Sequence, residues 1–209
     1  MDNISHIHKI EETLELLFND SRNDYINIIK GTTRSLFRPM KPSDFKDAYL
    51  SISKEQGKDL VELIKATNIK NIVEFGTSFG ISTIFLAQGA LYTGGKIITT
   101  ELIESKAKKA LENFKYAEVD NLIELRVGDA METLKNYHEP IDLLLLDGWK
   151  DLYLVLFKML EPNFHSDTIV YVDNADMTES KLFLKIIKDN SKYQLQYHHQ
   201  GKVALITVN

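Results

Sequence analysis

Short apolar runs alternate with amphipathic segments along most of this chain. The predicted strands are runs of apolar and β-branched residues at 72–75, 96–100, 122–127, 141–146 and 168–172. The segments between them carry apolar residues at three- and four-residue steps, which predicts helices over 81–88, 104–116, 130–137 and 178–189 and one that ends at Leu160. Repeated strand–helix units of this kind are typical of a parallel, doubly wound α/β sheet.

Both ends of the chain depart from that alternation. Near the N-terminus, apolar residues from Ile7 to Phe18 predict an amphipathic helix, and residues 25–29 a second short one. Prolines within 38–43 then break any helix. We assign residues 1–50 to a helical cap or extension and 51–209 to the main domain. The cap packs on the domain, covers a substrate or forms a dimer contact, and these options are compatible.

The main domain begins and ends with recognisable signals. Ser53 and Gln56 have the spacing of a capping box, which predicts the start of a helix that continues through Ile64. At the other end, two predicted strands over 193–197 and 203–208 have no helix between them. Strands joined in this way form an antiparallel hairpin, so we predict a seven-stranded, mostly parallel sheet closed by a C-terminal hairpin.

Composition narrows the function classes. The 209 residues include no cysteine, which excludes thiolate metal sites and cysteine nucleophiles. The net charge is −5 with basic residues scattered among acids, so we expect no nucleic-acid partner. The sequence shows neither a signal peptide nor an apolar run that would span a bilayer, so we expect a cytoplasmic protein without a membrane partner.

A glycine turn follows the first predicted strand. Gly76 and Gly80 have the spacing G-x-x-x-G, and Ser78 stands where a dinucleotide fingerprint has its middle glycine. The ligand is therefore not expected to be a dinucleotide. The helix after the turn offers free N–H groups suited to a carboxylate, although many α/β folds have such a turn.

Acidic residues follow the next two strands. Glu101 is placed to accept hydrogen bonds from ribose hydroxyls, or it is simply a charge at a helix start. Asp129 either accepts from an adenine amino group or caps the next helix. Together with the glycine turn, these residues place three ligand-compatible features at successive strand ends, where open α/β sheets bind ligands.

Oxygen-bearing side chains also follow the fourth and fifth strands. Asp147 and the pair Asp173–Asn174 supply two carboxylates and an amide, which suit a divalent cation such as Mg²⁺. Lys150 lies close enough in sequence to act as a base beside that site. The alternatives are that both aspartates cap helices and that Lys150 is a solvated first-turn residue.

The upstream pattern resembles the S-adenosylmethionine site of class I methyltransferases. The resemblance covers residues from about 50 to the end and rests on the run from Val73 to Ser82, on Glu101 and on Gly128-Asp129-Ala130. It implies that Glu74 and the turn of Gly76, Thr77, Ser78 and Gly80 hold the methionine part and that Ser82 contacts its carboxylate. It further implies that Glu101 binds the ribose and that Asp129 and Ala130 lie by the adenine.

The downstream pattern resembles the catechol and caffeoyl-CoA O-methyltransferases and their bacterial relatives. It consists of Asp147-Gly148-Trp149-Lys150-Asp151-Leu152-Tyr153 together with Asp173-Asn174. The resemblance implies that Asp147, Asp173 and Asn174 bind the metal, that Asp147 also lies by the cofactor, and that Lys150 is the general base. Catechol enzymes carry a glutamate on the terminal hairpin, whereas this chain has Gly201-Lys202-Val203-Ala204.

These patterns predict an enzyme that transfers a methyl group from S-adenosylmethionine to a hydroxyl of a small, aromatic or natural-product-like molecule, assisted by Mg²⁺ or another divalent cation. The alternatives are a metal-independent methyltransferase and a non-catalytic S-adenosylmethionine-binding protein. A nucleic-acid amino-methyltransferase is disfavoured because the fourth strand lacks the Asn/Asp-Pro-Pro-aromatic motif. A homodimer through the N-terminal helices is one hypothesis for assembly.

Overall fold

The computed structural model describes residues 3–22, 44 and 51–209. Its helices are α1 (Asn3–Arg22), α2 (Lys54–Thr67), α3 (Ile81–Thr93), α4 (Glu104–Tyr116), α5 (Ala130–Thr133), α6 (Tyr153–Leu160) and α7 (Thr178–Lys188). Its strands are β1 (Asn71–Phe75), β2 (Lys96–Glu101), β3 (Ile123–Val127), β4 (Ile141–Leu146), β5 (Phe164–Asp173), β6 (Tyr193–His198) and β7 (Val203–Val208).

The strands form one seven-stranded sheet in the order β3-β2-β1-β4-β5-β7-β6. The first five strands are parallel, and β7 is antiparallel to both β5 and β6. This confirms the predicted doubly wound sheet with a C-terminal hairpin. From β1 the chain continues to β2 and β3 on one side of the sheet and then crosses to β4 on the other side of β1. The strand order therefore reverses between β1 and β4. Ligands bind at such points in open α/β sheets.

Helices cover both faces of the sheet and create two apolar cores. On one face, α1 to α4 contribute buried residues such as Ile10, Leu60, Ile84 and Phe114. On the other face, α6 and α7 contribute Phe157 and Phe183 among others. The central strand β4 faces both cores, and its residues from Leu143 to Leu146 are fully buried, which explains why its sequence is a continuous apolar run.

The capping box predicted before α2 is present. The Ser53 side chain accepts a hydrogen bond from the backbone N–H of Gln56, and the Gln56 side chain accepts one from the N–H of Ser53. These reciprocal bonds satisfy two N–H groups that a helix start leaves without partners. The predicted start of the helix is therefore confirmed.

Two predicted elements have different bounds in the structure. Helix α5 ends at Thr133 instead of reaching residue 137, because the Arg126 guanidinium donates to the Thr133 carbonyl at 2.9 Å and the Tyr137 N–H bonds to Leu134 instead. Strand β5 begins at Phe164, four residues before the predicted start at Thr168. Phe164 pairs with Ile141, and the register of β4 and β5 shifts between Ile141 and Leu143. Such a shift has no periodic signal in the sequence.

The amphipathic N-terminal helix is confirmed as α1, whose Ile10, Leu14 and Leu17 are buried in the core next to α3 and α4. Phe18 contacts Phe85 of α3 with ring centroids 6.2 Å apart. The second short helix and the proline-containing break lie outside the described residues, and the boundary at residue 50 stays a prediction. None of the described helices combines the length and apolar composition needed to cross a membrane.

Candidate active site

A cavity of about 600 Å³ opens at the carboxyl ends of the parallel strands. The predicted site residues that line it are Gly76, Ser78, Glu101, Asp129, Ala130, Asp147, Lys150, Asp173 and Asn174. Four others, Glu74, Thr77, Gly80 and Ser82, do not line it. The topology thus brings residues from five strand ends together around a single space.

The glycine turn lies against the end of β4. Gly76 has φ +105°, and a Cβ at this position would come within 2.7 Å of the Asp147 carbonyl oxygen. A Cβ on Gly148 would come within 2.4 Å of the Phe75 ring. Only residues without a side chain permit this approach, so both glycines hold the β1 turn next to Asp147.

Glu101 projects from the end of β2 and connects the glycine turn to α4. Its Oε2 accepts from the N–H of Ser78 and its Oε1 from the N–H of Ile103, both at 2.8 Å. Burial raises the pKa of the Glu101 carboxyl, against the effects of these bonds and of the positive charge of Lys106. A carboxylate has about four acceptor positions, so the side chain can also accept from ligand hydroxyls.

Lys106 is a cavity residue that the sequence did not single out. It belongs to α4 and is 4% exposed, and its Nζ lies 3.3 Å from the Ser78 hydroxyl and 5.1 Å from the centre of the Phe79 ring. A buried lysine beside a buried glutamate balances the charge at this end of the cavity. Its signal in the sequence was weak, because one lysine among several on an amphipathic helix has no distinctive spacing.

Glu74 has a different environment from the other predicted acids. Its side chain is fully buried and accepts hydrogen bonds from the hydroxyls of Ser82, Thr83 and Thr99. Burial raises the pKa of this carboxyl, and the three hydroxyl bonds oppose the rise. In the structure Ser82 therefore binds Glu74, and no sequence pattern indicated Thr83 or Thr99 as further partners.

Asp129 fulfils the capping alternative. Its Oδ1 accepts from the N–H of Met131 at 2.9 Å at the start of α5. The residue also lines the cavity together with Ala130, so capping and ligand contact are compatible here.

Asp147 and Asp173 are the two acids of the predicted metal site. Asp147 is largely buried, and burial together with the negative charge of Asp173 raises its pKa well above the usual value. Lys150 opposes the rise, and its Nζ lies 3.8 Å from Asp147 Oδ1. Two neighbouring buried carboxylates attract positive charge, and Lys150 supplies part of that charge.

Neither aspartate acts as a helix cap, so that alternative is wrong. The cap of α6 is Leu152 and the cap of α7 is Met177. Asn174 follows Asp173 in a left-handed conformation with φ 53°, which turns the chain sharply at the strand end. Asparagine tolerates this conformation better than most residues.

The donor set fits a hard divalent cation. No three His, Asp or Glu side chains come together as a metal site in the described ranges 3–22, 44 and 51–209. The set here consists of two carboxylates and the Asn174 side chain, all lining the same cavity. Mg²⁺ prefers about six oxygen ligands and retains several waters, so these side chains leave positions for water or a substrate oxygen.

Comparisons with known proteins identify relatives of this chain. The family model described as O-methyltransferase matches residues 39–197. The chain is 33% identical over 130 residues to a catechol O-methyltransferase of Niastella koreensis, covering 60% of this chain and 58% of the relative. It is 31% identical over 132 residues to a caffeoyl-CoA O-methyltransferase of Medicago sativa, covering 60% of this chain and 53% of that relative. It thus spans little more than half the length of these relatives.

A solved structure shares the fold. The O-methyltransferase from Bacillus cereus in complex with SAH superposes with a TM-score of 0.72 at 23% identity, covering 97% of this chain and 91% of that one. The likeness confirms the fold, and the family model covers well over half of the sequence. The chain therefore belongs to the O-methyltransferase family.

Proposed function

We propose that this protein transfers the methyl group of S-adenosylmethionine to a hydroxyl of a small molecule, assisted by Mg²⁺ or another divalent cation. The observation that carries the proposal is the buried pair Asp147 and Asp173, with Lys150 beside it, in the cavity that also contains the glycine turn and Glu101. A methyl donor and an activated hydroxyl need to meet in one space, and this cavity has features suited to both.

The cofactor half of the proposal rests on the ends of β1, β2 and β3. Glu101 offers acceptors for ribose hydroxyls, and Asp129 and Ala130 line the region beyond it. Gly76 and Ser78 present backbone at the cavity wall, where a methionine moiety can approach closely. A solved relative supports the choice, since the Bacillus cereus O-methyltransferase was crystallised in complex with SAH.

The metal half rests on Asp147, Asp173 and Asn174. These residues would hold the cation, which when bound would favour loss of the proton from a coordinated hydroxyl. Lys150 would accept that proton as the general base, and its Nζ lies at the cavity wall 3.8 Å from Asp147 Oδ1. The cavity would hold the hydroxyl oxygen in line with the sulfonium methyl group, and such positioning lowers the barrier to transfer.

The lining of the cavity near the proposed metal site supports an apolar acceptor with a hydroxyl. Trp149, Leu152 and Met177 contribute apolar surface close to Lys150 and the two aspartates. An aromatic or natural-product-like hydroxyl compound matches this combination of an apolar wall and a polar end. The structure describes no acid from 201 to 204 on the terminal hairpin, so nothing there selects for the second hydroxyl of a catechol.

Chelation of divalent cations tests the proposal. The purified protein is incubated with S-adenosylmethionine and a panel of phenols and diols, and S-adenosylhomocysteine formation is measured before and after EDTA treatment. We expect EDTA to abolish turnover, added Mg²⁺ to restore it, and EDTA already saturated with Mg²⁺ to have no effect. Undiminished turnover in EDTA would instead favour the metal-independent methyltransferase.

Three further expectations stay predictions. They are the assignment of residues 1–50 to a cap, a cytoplasmic location and a homodimer through the N-terminal helices. Ser51, at the start of the main described range, lines the cavity.

A further inference from the structure

Gln56 connects the first turn of α2 to the acid pair across 117 residues of sequence. Its side-chain Nε2 donates to Asp173 Oδ1 at 2.8 Å. Gln56 is 7% exposed and Asp173 is 4% exposed, so water does not compete strongly for this bond. Helix α2 therefore contributes directly to the surroundings of the proposed metal site.

The capping box fixes which end of the Gln56 amide faces Asp173. Its Oε1 accepts from the Ser53 N–H at 2.7 Å, so the amide nitrogen points the other way. Glutamate serves equally well at this position of a capping box. A glutamate would, however, present an acceptor to the Asp173 carboxylate. The amide can accept a hydrogen bond from Ser53 and donate one to Asp173 at the same time.

The same end of α2 has a second link to the region around Asp173. Asp59, one turn after Gln56, lies 2.9 Å from Nε2 of His199 in the turn between β6 and β7. The segment after Asp173 is tied to that turn as well, because the Ala175 N–H donates to the Lys202 carbonyl at 2.8 Å. Helix α2, the turn between β6 and β7 and the end of β5 are therefore linked to one another near the contact between Gln56 and Asp173.

We propose that Gln56 is a positioning residue for Asp173. It holds one carboxylate oxygen of Asp173 and thereby leaves the other oxygen for the divalent cation. This inference rests on the proposed metal-assisted function. Partners that hydrogen-bond a ligating carboxylate fix its orientation, and their loss lowers metal affinity by about 10- to 100-fold.

Metal binding without turnover tests the inference. Mn²⁺ is titrated into the protein in the absence of cofactor and acceptor, and free Mn²⁺ is measured by electron paramagnetic resonance. Gln56→Met keeps the side-chain length but removes the donor, and we expect Mn²⁺ affinity to fall about tenfold. Ser53→Ala is the matched control, because it removes the hydroxyl cap and leaves the Gln56 side-chain bonds intact. It should lower the melting temperature without changing Mn²⁺ affinity.

A second variant covers the case in which Gln56→Met does not fold. Gln56→Ala also removes the donor to Asp173, adds no charge and suits a helix, so we expect the same fall of about tenfold in Mn²⁺ affinity. Unchanged affinity in the folded variants, with normal binding by the wild type, would overturn the role of Gln56 alone. Absence of Mn²⁺ binding by the wild type would overturn the metal site and this inference with it.

Discussion

One buried acid near the end of β1 and a pair of buried acids at the ends of β4 and β5 differ in how their charges are compensated. Glu74 of β1 is fully buried, lies off the cavity and accepts from three hydroxyls. Asp147 and Asp173 line the cavity and face each other. Lys150 Nζ lies 3.8 Å from Asp147 Oδ1, and the Gln56 amide donates a hydrogen bond to Asp173.

We expect this difference to separate an acid whose role is to stabilise the fold from acids that bind a ligand. A buried carboxylate needs hydrogen-bond donors or opposite charge to offset its lost hydration. The hydroxyls around Glu74 meet that need within the protein. The acid pair retains mutual repulsion, which is why the pKa of Asp147 is raised by Asp173 as well as by burial. A bound cation would remove that repulsion.

The largest expected effect follows from Asp173→Ala. Removing one of the two carboxylates should lower metal-stimulated methyl transfer by about 10³-fold, or about 4 kcal/mol of transition-state stabilisation. Affinity for S-adenosylmethionine, measured by calorimetry, should stay close to that of the wild type. Asp176→Ala is the control, because it removes an exposed acid three residues later. Equal loss in both variants would contradict a specific role for the pair.

The second largest effect concerns the stability that Glu74 contributes to the fold. Glu74→Ala leaves three buried hydroxyls without their acceptor, so we expect the free energy of unfolding to fall by about 3 kcal/mol. Urea denaturation measures this change. Glu112→Ala, on the exposed surface of α4, should change stability by less than about 0.5 kcal/mol. A stable Glu74→Ala protein would show that the hydroxyl cluster contributes little.

The pH dependence of stability in the wild type and in Glu74→Gln tests whether burial raises the pKa of Glu74. Burial raises the pKa of Glu74 in the folded state above its usual value of 4.5, so the folded protein binds this proton more tightly than the unfolded chain does. The wild type should therefore gain stability relative to Glu74→Gln as the pH falls from the raised pKa to 4.5. Urea denaturation at several pH values measures the difference, and a difference independent of pH would contradict the raised pKa.

The smallest effect comes from Ser82→Ala. Loss of one hydroxyl bond to Glu74 should cost about 1 kcal/mol of stability. Because Ser82 lies off the cavity, affinity for S-adenosylmethionine should change little. The sequence resemblance predicts instead that Ser82 contacts the cofactor carboxylate, and a marked loss of cofactor affinity at normal stability would favour that role. Thr99→Ala provides a comparison, since it removes a second hydroxyl from the same acid.

The sequence revealed much of the fold because its signals are local. The capping box of Ser53 and Gln56, the buried run of β4 and the C-terminal hairpin each depend on neighbouring residues, and each is present in the structure. The end of α5 was mispredicted because it depends on Arg126, which comes from a strand and takes the Thr133 carbonyl. Contacts of this kind leave no periodic pattern.

For the site, the sequence determined which chemical groups stand at the strand ends, since parallel strands must deliver Glu101, Asp147 and Asp173 to one edge of the sheet. Only the tertiary structure decided what those groups contact. It enclosed Glu74 among hydroxyls, placed Lys106 beside Glu101 and brought Gln56 to Asp173. The physical reason is that burial and hydrogen bonding depend on distances between segments far apart in the chain, which residue types and spacing do not encode.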